Sequence, residues 1–263
     1  MRQAPQFITH EEIEAHLYSM PTRYWEGLTE QNLNYHLRLI NSFFESLVTS
    51  NAEVPPPTVQ SRHFEDEGYT EVIVASWDRM GLFAKIAGAF ACADINIKRA
   101  FIYTRADHVV LDVFHVTAPT GGHVHDESCL IHMKELLAEC LDGRADLDLE
   151  KLMVEKLKKR GYPTSRFRPT GPAAPVISWD NQKSAEETIL KIECDDSLGL
   201  LYAILQELSD QSVDVHMANI DTVRNTALDV FYITDKFHKK ITHQDRLREV
   251  QNSLIRKLSS RGH

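Results

Sequence analysis

The sequence has few of the features that mark secreted, membrane or metal-binding proteins. Its 263 residues include 4 cysteines, which have no paired spacing, so we expect buried, reduced thiols rather than disulfides. No N-terminal apolar run resembles a signal peptide, and no stretch is long and apolar enough to span a bilayer. We therefore expect a cytoplasmic protein without a membrane partner.

Positive charge is also scarce. The 29 Lys and Arg residues are outnumbered by 38 Asp and Glu residues, giving a formal net charge of −9. No basic cluster with interleaved aromatic residues occurs, and phosphate-backbone binding depends on such a cluster. The composition therefore argues against nucleic acid as a partner, whereas 43% hydrophobic residues are enough to build a sizeable core.

What the sequence does contain is an internal repeat. The segment Thr70–Pro119 recurs from Thr188 onward, and Asp196 follows its counterpart Asp78 by 118 positions. The offset falls to 117 after residues 105–108, so one residue has been lost there. The two segments align without further gaps on both sides of this single deletion, which predicts two copies of one fold with the deletion in a turn.

Each copy changes its hydrophobic period in the same order. A β-branched strand is followed by an amphipathic helix, a hairpin of two strands, and a second amphipathic helix. An additional strand is predicted before each copy, at Thr58–Phe64 and at Val176–Trp179. The predicted fold class is α+β, with two ferredoxin-like (βαββαβ-type) domains whose fourth strand is supplied from before each domain, preceded by a helical segment.

The predicted boundaries divide the chain into three parts. Residues 1–50 form an N-terminal helical segment, residues 57–162 form the first domain with one extra charged helix, and residues 175–263 form the second domain. Proline-rich linkers at 51–57 and 163–175 separate them.

The N-terminal segment predicts two helices that cannot form a core alone. Thr9 and Glu12 have the spacing of a capping box, and a longer helix after Thr29 has an apolar stripe that includes Leu37 and Phe44. This stripe must be buried on the repeats, on a second copy of the chain, or on another partner. Sheet edges also need covering, so we expect the two sheets to associate within the chain, and the chain to form a homodimer.

The passage from strand to helix at Asp78–Leu82 predicts an anion site. The first N–H groups of a helix have no intrahelical partner, so they can hold the carboxylate of a small ligand. Gly81 permits a close approach, and Asn96 on the next strand can both donate and accept hydrogen bonds. In the alternative interpretation Asp78 only caps the helix and Gly81 only packs.

The second copy has a corresponding passage, but Asp214 replaces Asn96 there. A carboxylate at this position repels a ligand carboxylate and favours an ammonium group, so the second site is expected to be weaker, different or empty. The candidate ligand-binding residues are those of the two passages and of the strands that follow them: Asp78, Arg79, Met80, Gly81, Leu82, Asn96, Asp196, Leu198, Gly199, Leu200 and Asp214.

Two other groups have chemically active residue types. Asp112 and Asp229 recur on equivalent strands, which predicts hydrogen bonds to backbone N–H groups rather than catalysis. His125, Cys129 and His132 would share one helix face and make a three-ligand metal site, but nothing comparable occurs in the second copy. We predict no metal, no cofactor and no catalytic residue.

The motif Asp78–Phe83 and the later Leu111–Phe114, both repeated in the second copy, resemble the ACT domain, a small βαββαβ module that binds amino acids in regulatory proteins. With the N-terminal motif Met20–Trp25, the pair resembles the tandem ACT region at the C-terminus of bifunctional uridylyltransferase and uridylyl-removing enzymes, which act on the nitrogen-regulatory PII protein. The resemblance implies a small amino acid as ligand, with glutamine foremost. It also implies a partner enzyme or signalling protein of nitrogen metabolism.

The resemblance does not extend to the catalytic domains of those enzymes. Nucleotidyl transfer there needs a Gly-rich loop with an acidic pair, and no such loop occurs among the 11 glycines. Hydrolysis needs separated His and Asp metal ligands, whereas the only His-Asp dipeptide, His125-Asp126, lies inside an ACT-like unit. Met80 and Leu198 also stand where ACT domains commonly have proline. We expect a non-catalytic sensor. The alternatives are an interaction module with vestigial ligand sites and the regulatory fragment of a larger enzyme.

Overall fold

The computed structural model describes residues 9–26, 28–49, 56–141, 147–159 and 174–260. The helices are α1 (His10–Ser19), α2 (Glu30–Thr49), α3 (Leu82–Cys92), α4 (Glu127–Leu141), α5 (Leu149–Lys159), α6 (Leu200–Asp210) and α7 (Gln244–Ser259), with a short 3-10 helix at Thr22–Trp25. The strands are β1 (Thr58–Phe64), β2 (Tyr69–Trp77), β3 (Asn96–Thr104), β4 (Val109–Thr117), β5 (Val176–Asp180), β6 (Thr188–Asp195), β7 (Val213–Asn219), β8 (Thr222–Val223) and β9 (Thr226–Asp235). The two predicted proline-rich linkers fall mostly outside the described residues.

The α+β class and the ferredoxin-like order of elements are confirmed. The strands form one antiparallel sheet in the order β1-β2-β4-β3-β7-β9-β6-β5, and β8 pairs with β9. The additional strands that precede each copy, β1 and β5, pair with β2 and β6 and form the two edges of the sheet. The fourth strand of each copy therefore comes from before the domain, as predicted.

The two copies are joined through β3 and β7, which confirms that the sheets associate within the chain. Ala100 of β3 pairs with Ala218 of β7, which is its own counterpart 118 positions later. The neighbouring pairs, Arg99 with Asn219 and Phe101 with Met217, are arranged antiparallel about this point. The two copies are consequently related by a pseudo-two-fold axis that passes between the two alanines.

One face of the sheet carries helices from both copies. Phe90 and Phe114 of the first copy and Phe231 and Leu254 of the second belong to one continuous cluster of buried side chains. The helices α3 and α6 lie side by side at the pseudo-two-fold axis, and a Cβ added at Gly88 of α3 would lie 3.0 Å from a ring carbon of Tyr202 in α6. This close approach lets the two copies share a single core.

The opposite face of the first copy is covered by the N-terminal segment. Leu39, Ile40 and Phe43 of α2 pack with Ile73 and Leu111 of the sheet in a second buried cluster. The predicted stripe is therefore buried within the chain, with its centre rotated toward Leu39 and Phe43. Because this stripe is already buried within one chain, it no longer gives a reason to expect a homodimer.

The N-terminal segment is fixed to the first copy by the turn between β3 and β4. Arg105 Nη1 lies 2.7 Å from Nδ1 of His16, and the backbone N–H of Ala106 donates to the carbonyl of Ser19 at 2.9 Å. This turn is the segment in which the second copy has lost one residue. The predicted capping box of Thr9 and Glu12 is present.

Beneath the docked helices, buried polar groups form a chain of hydrogen bonds. Arg105 donates to Nδ1 of His16, whose Nε2 then donates to the Tyr24 hydroxyl at 3.1 Å. That hydroxyl donates to Nδ1 of His36 at 2.8 Å. Burial lowers the pKa of His16 to about 3 and that of His36 to about 4, so both imidazoles are neutral in the folded protein. The direction of donation follows from Arg105, which has no acceptor.

Within the described ranges, no helix has the combination of length and apolar character that crossing a membrane requires.

Candidate functional site

A cavity of about 280 Å³ lies between the two copies. One wall is the loop before α6, from Asp196 to Leu200, and the facing wall contains Asn96 and Lys98 of β3. The floor contains Asp229 of β9. Charged and amide groups therefore converge from both copies on one concave space, which is typical of small-molecule sites.

The expectation that Asp78 and Asn96 belong to one site is wrong. Strands β2 and β3 are both antiparallel to β4 and so run parallel to each other. Asp78 follows the end of β2, whereas Asn96 begins β3 at the other end of the sheet, roughly 30 Å away for a strand of this length. The pairing of β3 with β7 instead brings Asn96 to the second loop, beside Asp196.

By the pseudo-two-fold symmetry, Asp214 of β7 belongs with the first loop. The charge of Asp78 contributes to raising the pKa of Asp214, although burial is the larger cause and His238 opposes it. A Cβ at Gly81 would lie 3.8 Å from Oγ of Ser209 in α6, which also places the first loop against the second copy. Each site thus combines the loop of one copy with a strand of the other.

Both loops present the start of a helix that no side chain caps. Gly81 and Gly199 are the N-cap residues of α3 and α6, with φ of 72° and 75°. Neither helix has a side-chain cap hydrogen bond, so the alternative in which Asp78 caps its helix is wrong. Positive φ suits glycine because it has no Cβ. Gly199, Leu200 and Leu201 at the start of α6 line the cavity, and although the N–H of Leu200 donates to the carbonyl of Ser197 at 3.0 Å, the positive end of the helix dipole there favours an anion.

Asp196 is held in place by the second copy's own hairpin. Its Oδ2 accepts a hydrogen bond from Oγ1 of Thr222 at 3.0 Å, and its backbone N–H donates to the carbonyl of Asn225 at 2.9 Å. Thr222 and Asn225 also line the cavity. The acidic group at the cavity rim is therefore positioned by contacts that do not require a ligand.

Asp229 is a buried carboxyl group that sequence reasoning did not place in a site. It is 1% exposed, and Oδ1 has no hydrogen-bond partner among the described residues. Burial, followed by the charge of Asp196, raises its pKa to about 8. A signal for it did exist, because the repeated Leu-Asp-Val-Phe motif puts an acidic residue on the same side of the strand as Phe231.

The counterpart of Asp229, Asp112, is also 1% exposed. Neither of its oxygens has a hydrogen-bond partner of ordinary geometry in the described part of the chain, although the backbone N–H of Tyr103 lies close enough to lower its pKa slightly. Burial and then the charge of Asp78 raise the pKa of Asp112 well above its usual value. The predicted tie to a backbone N–H group is present at the Asp229 carboxyl, through the backbone of Asp221, but it is wrong for Oδ1 of Asp229 and for Asp112.

The remaining candidate residues have mainly structural surroundings. Arg79 donates from Nη1 to the carbonyl of Leu141 at the end of α4, at 2.8 Å, while Met80 is 84% exposed. Leu82 and Leu200 are buried in the shared core. Leu198 and Leu200 contribute apolar wall to the cavity.

The His and Cys residues near α4 do not form the arrangement that a metal would need. His125 precedes the helix, which begins at Glu127, and packs against His123 in a tilted arrangement with ring centroids 3.8 Å apart. Cys129 and His132 line a separate cavity beside α5. In the ranges that the structure describes, no three His, Cys, Asp or Glu side chains come together as metal ligands.

Comparison with known proteins agrees with this architecture. Residues 176–261 match a family model described as ACR9-like, ACT-like domain. The chain is 31% identical over 231 residues to a bifunctional uridylyltransferase/uridylyl-removing enzyme of Rhodospirillum rubrum, covering 88% of this chain and 23% of that protein. It is 28% identical over 249 residues to the enzyme of the same name from Azospirillum brasilense, covering 94% of this chain and 25% of that protein.

A third relative of the same name, from Gluconobacter oxydans, is 30% identical over 237 residues, covering 90% of this chain and 24% of that protein. No solved structure matches the chain. The chain spans about a quarter of the length of these curated relatives.

Proposed function

We propose, from the premise that this chain is an ACT-domain protein, that it is a non-catalytic regulator which binds a small amino acid in the cavity between its two copies. Glutamine is the foremost ligand. The observation that carries the proposal is the convergence in one cavity of an uncapped helix start, Asp196, Asn96 and Lys98.

Each part of an amino acid finds a complementary group in this cavity. The carboxylate binds at the positive end of the dipole of α6, assisted by the positive charge of Lys98. The ammonium group binds on the acidic side of the cavity, which Asp196 and Asp229 line, and the amide of Asn96 pairs with the side-chain amide of glutamine, since both can donate and accept. A ligand with only one of these groups leaves the others unpaired and is bound more weakly.

Because the ligand contacts both copies, it favours the arrangement in which they are close together. The 3-10 helix of the N-terminal segment lies on the same junction. Arg23 donates from Nη2 to the carbonyl of Ile102 in β3 at 2.7 Å. Burial raises the pKa of Glu187 in the second copy, and the charge of Arg23 opposes that rise. The N-terminal segment is therefore placed to transmit a change between the copies to a partner enzyme or signalling protein.

Assembly into a homodimer is part of the proposal, supported by the second copy's outer surface. The outer face of the first copy is covered by α2, whereas Val176 and Leu228 of the second copy are exposed apolar side chains. A cytoplasmic location is supported by the four cysteines, all within the described ranges, none of which forms a disulfide.

The test is a thermal melt of the purified chain with and without excess glutamine, followed by the other amino acids. At about 100 times the dissociation constant, binding stabilises the folded state by about 2.7 kcal/mol, which raises the melting temperature by roughly 5–10 °C for a chain of this size. Asn96→Ala should lose most of this shift. Asp214→Ala, the matched change in the other site, should keep it.

Two outcomes would contradict the proposal. If no amino acid shifts the parent chain, the sites are vestigial and the chain is an interaction module. If Asn96→Ala keeps the full shift while Asp214→Ala loses it, the ligand binds at the first loop instead. Equilibrium dialysis with the same amino acids distinguishes weak binding from none.

A further inference from the structure

Asp229 is the most unusual polar group in the cavity between the two copies. Its carboxyl is at the cavity floor, 1% exposed, and Oδ1 has no partner in the described residues. A buried polar atom without a partner is costly to the folded state, and such atoms are rare in proteins. Asp229 is one of the residues that line the cavity a ligand would fill, so a ligand can supply the missing partner.

The charges around Asp229 come from three elements. The charge of Asp196, on the loop before α6, opposes its ionisation, and so does the charge of Asp221 after β7, whereas the backbone N–H of Asp221 favours ionisation by a hydrogen bond. The charge of Lys98 of β3 also favours ionisation. Burial is the largest cause of the raised pKa and the charge of Asp196 adds to it, so the neutral carboxylic acid is favoured without a ligand, and an added cation shifts the balance toward the carboxylate.

We propose that Asp229 recognises the ammonium group of the bound amino acid and that it loses its proton to solvent when the ligand binds. The inference rests on the proposed function and adds to it the reason for selecting amino acids over other carboxylic acids. Before binding, Asp229 is a neutral carboxylic acid. After binding, its carboxylate accepts a charge-assisted hydrogen bond from the ammonium group.

This mechanism links affinity to pH in a definite direction. With a pKa of about 8 in the empty cavity, Asp229 is mostly protonated at pH 7, and binding must displace about 0.9 proton per ligand. The affinity therefore rises by close to tenfold for each pH unit between pH 6 and pH 7. Glutamine itself does not change charge over this range, so the dependence is a property of the protein.

Asp112 provides a matched control. It is the counterpart of Asp229 in the first copy, equally buried, with its pKa also raised by burial, but it is not part of the cavity wall. Asp112→Asn and Asp229→Asn are the same change at equivalent positions of the two copies. Both replace a neutral carboxylic acid by an amide of equal size, and melting curves of the unliganded variants verify that they fold.

The experiment is titration calorimetry of glutamine binding at pH 7 in two buffers of different ionisation enthalpy, together with dissociation constants at pH 6 and pH 7. The parent and Asp112→Asn should release close to one proton per glutamine and bind about tenfold more weakly at pH 6. Asp229→Asn should release none, show no pH dependence, and bind at least tenfold more weakly at pH 7. A glutamine analogue that lacks the amino group should bind the parent without releasing a proton.

The outcomes separate this inference from the function on which it rests. If the parent binds glutamine without proton release, or if Asp229→Asn releases the same proton, Asp229 does not recognise the ammonium group, and amino-acid binding stands. If the parent binds no amino acid at any of these pH values, the proposed function and the role of Asp229 both fall.

Discussion

The Tyr24 hydroxyl is the central member of the buried chain of hydrogen bonds under the N-terminal segment, and Tyr24→Phe tests that chain. The hydroxyl joins Nε2 of His16 to Nδ1 of His36, and Tyr24 is 2% exposed. The phenyl ring that remains keeps its edge-to-face contact with Tyr103, whose centroid is 5.2 Å away. The substitution therefore removes two hydrogen bonds and leaves the packing unchanged.

The expected loss follows from the two imidazole nitrogens that lose their partners. A buried polar atom left without a hydrogen bond costs about 1–3 kcal/mol, so two of them cost about 3 kcal/mol when part of the cost is relieved by local relaxation. For a chain of this size that loss lowers the melting temperature by roughly 6–12 °C. The groups cannot compensate by taking up protons at pH 7, because burial keeps the pKa of both histidines low.

The assay is a melting curve combined with limited proteolysis of the N-terminal segment. Tyr18→Phe is the matched control, because Tyr18 is on α1 but 92% exposed, and a surface change of this kind alters stability by less than about 0.5 kcal/mol. If Tyr24→Phe melts within that margin of the parent and is no more sensitive to protease, the hydrogen-bond chain does not hold the segment in place.

The remaining predictions concern the same segment and the candidate site. Lowering the pH from 7 to 5 should weaken docking of the N-terminal segment by about 2 kcal/mol for each of His16 and His36. The reason is that these histidines take up protons when the segment is undocked but not when it is docked. Equal hydrogen-exchange protection of α1 and α2 at both pH values would contradict this. Arg62→Met should destabilise by about 3 kcal/mol, since Glu71 is buried and Arg62 Nε lies 2.5 Å from it, as chemical denaturation would measure. Gly199→Ala should lower stability by about 1 kcal/mol through its positive φ and also reduce the glutamine-dependent melting shift; an unchanged shift would place the ligand away from this loop.

Much of the fold could be predicted from the sequence because the decisive signals are local. β1 begins and ends where the alignment of the repeats placed it, and β5 is only one residue longer than predicted. Strand alternation, helical spacing and the capping box of Thr9 each depend on a few neighbouring residues. The deletion at residues 105–108 identified a turn for the same reason.

The site was harder to predict because it depends on contacts between distant parts of the chain. Asn96 and Asp196 meet only because β3 pairs with β7, and no local pattern specifies that pairing. The environment of Asp229 was missed for a related reason. A strand pattern shows which way its side chain is directed, but the partners available to a carboxyl are set by how the whole domain packs.

The pairing of Ala100 with Ala218 has a consequence for how such a protein arises. When two identical chains associate about a two-fold axis through a sheet edge, a strand of one chain pairs with the same strand of the other. A single-copy ancestor built this way would have been a homodimer with two identical pockets, each completed by the other chain. Duplication and fusion free the two pockets to diverge, and the asparagine at position 96 in one pocket, where the other pocket has an aspartate at the equivalent position 214, records that divergence.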